Sequence, residues 1–189
     1  MTILKGIPRI INPQLLSALA RMGHGDEIVF ADANFPSASV AASTTLGQEI
    51  RVDGSGIPEL LSAVMKLFPL DPVARNGIFM EMMPEHKAAG WKTPIWDVYK
   101  GIILTEEPAA QFEEVERFAF YERSKKAFAV VATGCVFLGG RRLAAQKPGP
   151  TPTRTHTRSN APAPYPLLHS ETALYGNLIL KKGVIGSKD

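Results

Sequence analysis

Cysteine is nearly absent from this chain of 189 residues, which holds only Cys135. No disulfide can form within the chain, so a secreted fold stapled by cross-links is excluded. Long apolar runs are missing too, and none approaches the roughly 20 residues that a membrane-spanning helix needs. The opening Met-Thr-Ile-Leu-Lys-Gly-Ile-Pro lacks the charged-then-apolar order of a signal peptide. No Asn-x-Ser/Thr acceptor occurs with a permitted middle residue. These absences predict a soluble, cytoplasmic protein without a membrane partner. There is also no phosphate loop, no Gly-x-Gly-x-x-Gly and no His/Cys set at metal spacing. The expectation is therefore no metal and no cofactor.

Negative charge is missing from one stretch. Residues 135–170 contain Arg141, Arg142, Lys147, Arg154 and Arg158 but no Asp or Glu. Leaving out those five cations leaves 16 Lys and Arg against 18 Asp and Glu, so the rest of the chain is mildly acidic. The basic balance belongs to that stretch, and a nucleic-acid partner is not expected. The same stretch carries prolines 148, 150, 152, 162, 164 and 166. It cannot bury enough apolar surface to offset its ordering entropy, so a disordered insertion is expected. At 45% hydrophobic residues, the chain as a whole has the content of an ordinary globular protein with a core. One domain over 1–189, with this Pro/Arg-rich insertion inside it, is the expected organisation.

Asn12-Pro13 is a helix start, and Leu15, Leu16, Leu19, Ala20 and Met22 form its apolar stripe, with Gly23 as its stop. Residues 27–32 and 48–52 read as strands. Pro58 opens a second helix with Leu60, Leu61, Val64, Met65 and Phe68 inward. Residues 77–83 form a third strand, and Thr93-Pro94 caps a helix through Trp96, Tyr99, Ile102 and Ile103. A strand near 113–118, a basic helix at 119–126 and strands at 127–133 and 176–182 follow. Alternating helices and nearly continuous apolar strands predict an α/β layered domain whose mostly parallel sheet is covered on both faces.

Of four histidines, only His24 lies between glycines, on backbone able to turn sharply and approach a ligand closely. Imidazole suits proton transfer in neutral water. A surface histidine after a helix terminus is the plainer reading. Asp32 falls at the carboxyl end of a strand, where open α/β sheets place ligands, beside Asn34 and Phe35, an amide and a ring that suit a sugar. Asp71, in Phe-Pro-Leu-Asp-Pro, reads as a turn residue by itself. Met80 and Glu81 read as core and edge, although Met80 could line a pocket. Residues 117–128 interleave aromatics with cations, which fits a helix with inward aromatics better than a base-stacking surface. Tyr175-Gly176-Asn177 looks like a turn entering a strand.

Taken in order, Leu-Lys-Gly-Ile-Pro at 4–8, Met-Gly-His-Gly-Asp-Glu-Ile at 22–28, Ala-Asp-Ala-Asn-Phe-Pro at 31–36 and Gly-Ile-Pro-Glu-Leu-Leu at 56–61 form a specific set. Leu-Asp at 70–71, Arg-Phe-Ala-Phe-Tyr-Glu-Arg at 117–123, Lys-Lys-Ala-Phe-Ala-Val-Val-Ala-Thr-Gly at 125–134 and Glu-Thr-Ala-Leu-Tyr-Gly-Asn-Leu-Ile-Leu-Lys-Lys-Gly at 171–183 extend it. This text resembles the fucose mutarotase and ribose pyranase family over 1–134 and 171–184. The resemblance implies a three-layer α/β/α sandwich with a mixed sheet, its last strand antiparallel. It also implies homo-oligomers, no cofactor, and interconversion of the α and β anomers of a free monosaccharide, L-fucose. By resemblance His24 transfers protons, with Asp71, Tyr121 and Tyr175 in the site. Asp32, Arg117 and Asn177 bind sugar hydroxyls, and Met80 adds backbone or apolar contact.

The departure is the insertion of 36 residues at 135–170. In the family, Thr-Gly runs straight into Glu-Thr-Ala-Leu-Tyr-Gly-Asn. The insertion's length suits an alternative exon or a retained intron piece. Its flanking strands are expected to pair as a hairpin, with the insertion at the turn. Such lengthening costs only about 2 kcal/mol in closure entropy, but it leaves the placement of Tyr175 and Asn177 as the sensitive point. Two other functions stay open: a ribose-type pyranase, and an impaired splice form acting as an interaction protein.

Anomer exchange needs one group to take the anomeric proton and another to protonate the ring oxygen. His24 is the main acid/base, with Tyr175 or Asp71 as counterpart. His24 and Asp32 stand eight residues apart across a strand, about 20–26 Å if extended. Unless the His24 loop folds back, both can reach one sugar only if a neighbouring subunit supplies one of them, so a site at a subunit interface is expected.

Overall fold

The computed structural model describes residues 4–133 and 175–185. The expected disorder of the 135–170 insertion lies outside the described residues.

The first helix, α1 (Pro13–Arg21), starts where its sequence directs. The Asn12 side chain accepts the Leu15 N–H at 2.8 Å, and Pro13 occupies the first turn. It stops before Gly23, because Met22 already takes an extended conformation. The Lys182 ammonium donates to the Leu19 and Met22 carbonyls at 2.9 and 2.7 Å, which satisfies the helix end. After β1 (Glu27–Ala31) comes a short helix, α2 (Ser37–Ala41), then β2 (Ile50–Arg51) and α3 (Ile57–Met65). β3 (Gly77–Met80) is shorter than the expected 77–83, because Pro84 opens another short helix, α4 (Pro84–Ala88). α5 (Pro94–Glu106) begins without a side-chain cap from Thr93. β4 (Phe112–Val115) ends early because the Glu116 carboxylate accepts the Phe118 and Ala119 N–H groups, starting α6 (Arg117–Lys125) two residues ahead of expectation. β5 (Ala129–Ala132) and β6 (Leu178–Lys181) complete the elements among the described residues.

The strands form one six-stranded sheet in the order β2-β5-β1-β6-β3-β4. Among the described residues five strands run parallel to one another, and β6 alone is antiparallel, between β1 and β3. The expected hairpin of β5 with β6 does not form. β1 lies between them, because its apolar residues pair with both, Ile28 facing Ala129 on one side and Leu180 on the other.

Side chains alternate across the sheet and define three layers. Ile28, Phe30, Phe79, Val131, Leu178 and Leu180 pack with the inner faces of α1, α3 and α5. Val29, Ala31, Ile78, Met80, Val130 and Ile179 pack with α2 and α6. On α6 Phe120 is fully buried and Tyr121 half-buried, whereas Phe118 is 63% exposed, against the expectation that all three point inward.

Candidate functional site

The strand β1 carries a polar cluster at each end. At the amino end, Gly23-His24-Gly25-Asp26 is a tight turn. Gly25 takes φ +86°, which glycine adopts without penalty, and the Asp26 carboxylate accepts the Gly23 N–H at 2.7 Å. His24 is presented at the tip with its side chain 59% exposed, its Nε2 3.6 Å from Asp71 Oδ2, just beyond hydrogen-bond distance. Asp71 is buried. Its Oδ1 accepts the Val73 N–H at 3.0 Å and, more weakly, that of Ala74 at 3.4 Å, and its Oδ2 lies 3.3 Å from the Lys181 ammonium. The Val73 N–H first, then Lys181 and Ala74, hold this carboxyl below the usual range against its burial. The chain here is tightly fixed: Gly183 lies so close to the Leu70 carbonyl that a β-carbon at 183 would collide with its oxygen.

At the carboxyl end, Asp32 and Asn177 lock together. The Asp32 N–H donates to Asn177 Oδ1 at 2.9 Å, and Asn177 Nδ2 donates to Asp32 Oδ2 at 3.1 Å. Asp32 Oδ1 also accepts the Asn34 N–H at 2.9 Å. Burial pushes the Asp32 carboxyl above the usual range, with the N–H groups of Asn34, Gly176 and Phe35 and the Asn177 amide pulling the other way. Asp32 and Phe35 border a cleft of about 500 Å³ under α2, large enough for a small ligand.

Tyr175 stands beside this cluster with φ +67°, an uncommon conformation for a bulky residue. Its carbonyl accepts from Trp96 Nε1 at 2.8 Å, and the Tyr99 hydroxyl donates to the next carbonyl, Gly176, at 3.0 Å. Desolvation raises the Tyr99 phenol far above its ordinary value, which keeps it a donor. Arg117, first residue of α6, has its guanidinium carbon 4.7 Å from the Phe118 ring centroid and Nη1 3.5 Å from Met83 Sδ. Its buried Nε has no hydrogen-bond partner among the described residues. Tyr121 packs on Phe35, ring centroids 5.4 Å apart. Met80 is 4% exposed in the core, so its side chain is a packing group.

The structure thus brings His24 to Asp71 at one end of β1, and gathers Asp32, Asn177, Tyr175, Arg117 and Tyr121 at the other. It does not bring the two sets together within one chain. Two neighbours of these clusters carry no local signal in the sequence. Lys181 is an ordinary strand residue by sequence, and His86, whose Nδ1 is 2.7 Å from the Tyr175 hydroxyl, depends on a contact across 89 positions.

Among the described residues no group of His, Cys, Asp and Glu could hold a metal ion, and no helix is long and apolar enough to cross a membrane. An α/β/α sandwich bearing carboxylates, an amide, a guanidinium, phenols and an exposed imidazole defines a protein fitted to a small polyhydroxylated molecule and to proton transfer. The chain belongs to the RbsD / FucU transport protein family, whose model matches residues 5–136. It is 46% identical to the fucose mutarotase of Danio rerio over 185 residues, 98% of this chain and 96% of that one. FucU from Bifidobacterium longum superposes with a TM-score of 0.71 at 37% identity, covering 96% of this chain and 100% of that one. The fucose mutarotase of Streptococcus pneumoniae, solved in complex with L-fucose, superposes with a TM-score of 0.68 at 38% identity, covering 97% of this chain and 100% of that one.

Proposed function

We propose that the protein interconverts the α and β anomers of L-fucose by acid/base opening and closure of the pyranose ring. The observation that carries this reading is the near full-length likeness to a fucose mutarotase. A ribose-type pyranase is not favoured, because the relatives named above are fucose proteins. His24, exposed and backed by an ionised Asp71, takes the anomeric proton. The neighbouring carboxylate stabilises the imidazolium that forms. A carboxyl held below its usual range is a poor proton donor at neutral pH. The counterpart that protonates the ring oxygen is therefore Tyr175, with Tyr121 nearby, rather than Asp71. The C1–O bond breaks, the aldehyde rotates and the ring closes on either face. Asp32, Asn177 and Arg117 hold sugar hydroxyls.

The working site lies between two copies of the chain, the amino-end cluster of one facing the carboxyl-end cluster of the other. Supporting this, exposed apolar side chains rim both clusters: Val73, Val184 and Ile185 near Asp71 and Lys181, and Phe118 and Trp91 near Arg117 and His86. A second copy would cover them. Saturation-transfer NMR on free sugars tests the function: exchange between L-fucose anomers is expected to exceed that for D-ribose. Exchange of ribose alone would instead identify a pyranase. A chain lacking 135–170 that works where the full chain does not would identify an impaired form.

A further inference from the structure

We infer that His86 is a positioning residue which, with the Met83 N–H, cradles the Tyr175 hydroxyl oxygen. This rests on the mutarotase reading above. The helix α4 that carries His86 buries none of its residues, yet the imidazole is held on three sides. Trp91 stacks on it with ring centroids 4.2 Å apart and planes within 6°. The Trp91 N–H donates to the His86 carbonyl at 3.0 Å, which ties the stack to a local turn. The Tyr175 ring meets it edge-on at 5.8 Å, and Nδ1 lies 2.7 Å from the Tyr175 hydroxyl. The Met83 N–H reaches the same oxygen at 3.2 Å.

A phenol oxygen has one proton and two acceptor positions. With the proton of His86 on Nδ1, both acceptor positions are filled from the protein, and the phenol's own proton is directed elsewhere, toward a bound sugar. When that O–H bond breaks, the proton goes to the sugar ring oxygen, whose bond to C1 breaks, while His24 receives the anomeric proton. Tyr175 is left as a phenolate facing two donors already in place, the arrangement that lowers the energy of a developing oxyanion. Ring closure returns both protons, so nothing is consumed. The φ of +67° at Tyr175 fits this picture: a strained backbone is held by Trp96 on its carbonyl and by His86 and Met83 on its hydroxyl.

His86→Phe keeps a ring for Trp91 and removes the donor. We expect kcat for L-fucose exchange to fall about 10- to 100-fold with KM within about twofold, and His86→Asn, whose amide N–H sits near the Nδ1 position, to recover most of the loss. An unchanged kcat in His86→Phe, a change in KM alone, or equal losses in both variants would overturn the role. Long-range 1H–15N spectra give a second readout independent of turnover. The wild-type imidazole is expected to carry its proton on Nδ1, and Tyr175→Phe is expected to abolish that preference. An Nε2-protonated ring indifferent to Tyr175→Phe would refute the cradle. A wild-type chain that moves no sugar but keeps the Nδ1 proton would refute the mutarotase reading and leave the hydrogen-bonded pair standing.

Discussion

An imidazole on a glycine-flanked turn, with 59% of its side chain in solvent, contributes little to packing. His24→Ala is therefore expected to leave stability within about 0.5 kcal/mol of the parent, while anomer exchange falls by about 10²–10⁴. Urea titration and saturation-transfer NMR on the same sample would check both. Asp71 acts on stability. Its carboxyl is held below the ordinary value of 3.8, so the ionised form favours the fold. That contribution is present above the unfolded value and is lost as pH falls through the lower, folded one. Asp71→Asn should therefore flatten the loss of stability below about pH 3.8, as read by acid titration of circular dichroism. If the variant and parent lose stability in parallel there, the assignment of Asp71 as ionised and bonded fails.

At the scale of the element, the chain leaves β6 through Gly183, whose N–H donates to the Pro69 carbonyl at 2.9 Å. Gly183→Ala would drive its β-carbon into the Leu70 carbonyl oxygen. The backbone would have to part there, at a cost of about 1–3 kcal/mol, and Lys181 would move away from Asp71. Lower thermal stability and slower exchange are expected together, and a variant with parent-like values of both would show that the two segments are not held so closely. Elements of this kind were legible to differing degrees. The Asn12-Pro13 start of α1 and the apolar face of α3 stand in the sequence because cap and stripe are local. The helices α2 and α4 do not, being five residues each without a side-chain cap. α4 also buries nothing, so it leaves no stripe to read. The error at β5 and β6 has another cause: strand adjacency is a long-range choice, and two apolar strands joined in sequence look like a hairpin until β1 is seen between them. For the candidate site, residue type and position single out 24 and 32 in the sequence, each beside a plainer reading. Asp71, Arg117, Tyr175 and Asn177 entered only by resemblance, and His86 by neither route.

For the whole molecule, the proposal that the two clusters at opposite ends of β1 form one site between copies makes activity a property of the assembly. Chains carrying His24→Ala and chains carrying Asn177→Ala damage different clusters. Each alone is expected to be nearly inactive, and mixing them by unfolding and refolding together should restore exchange that neither parent has. Size-exclusion chromatography with light scattering would confirm that mixed assemblies form. A mixture as inactive as its parents would mean that both clusters serve one chain's own site, or that no shared site exists.

Among the described residues β6 is the only antiparallel strand, and it joins two groups that do not otherwise pair there, β2-β5-β1 on one side and β3-β4 on the other. During synthesis the first five strands emerge before the piece that bridges them, leaving β1 and β3 each with a bare row of main-chain N–H and C=O groups. If the two groups pair before residues 178–181 leave the ribosome, the nascent protein would carry two open edges beyond those of β2 and β4, which another strand could occupy.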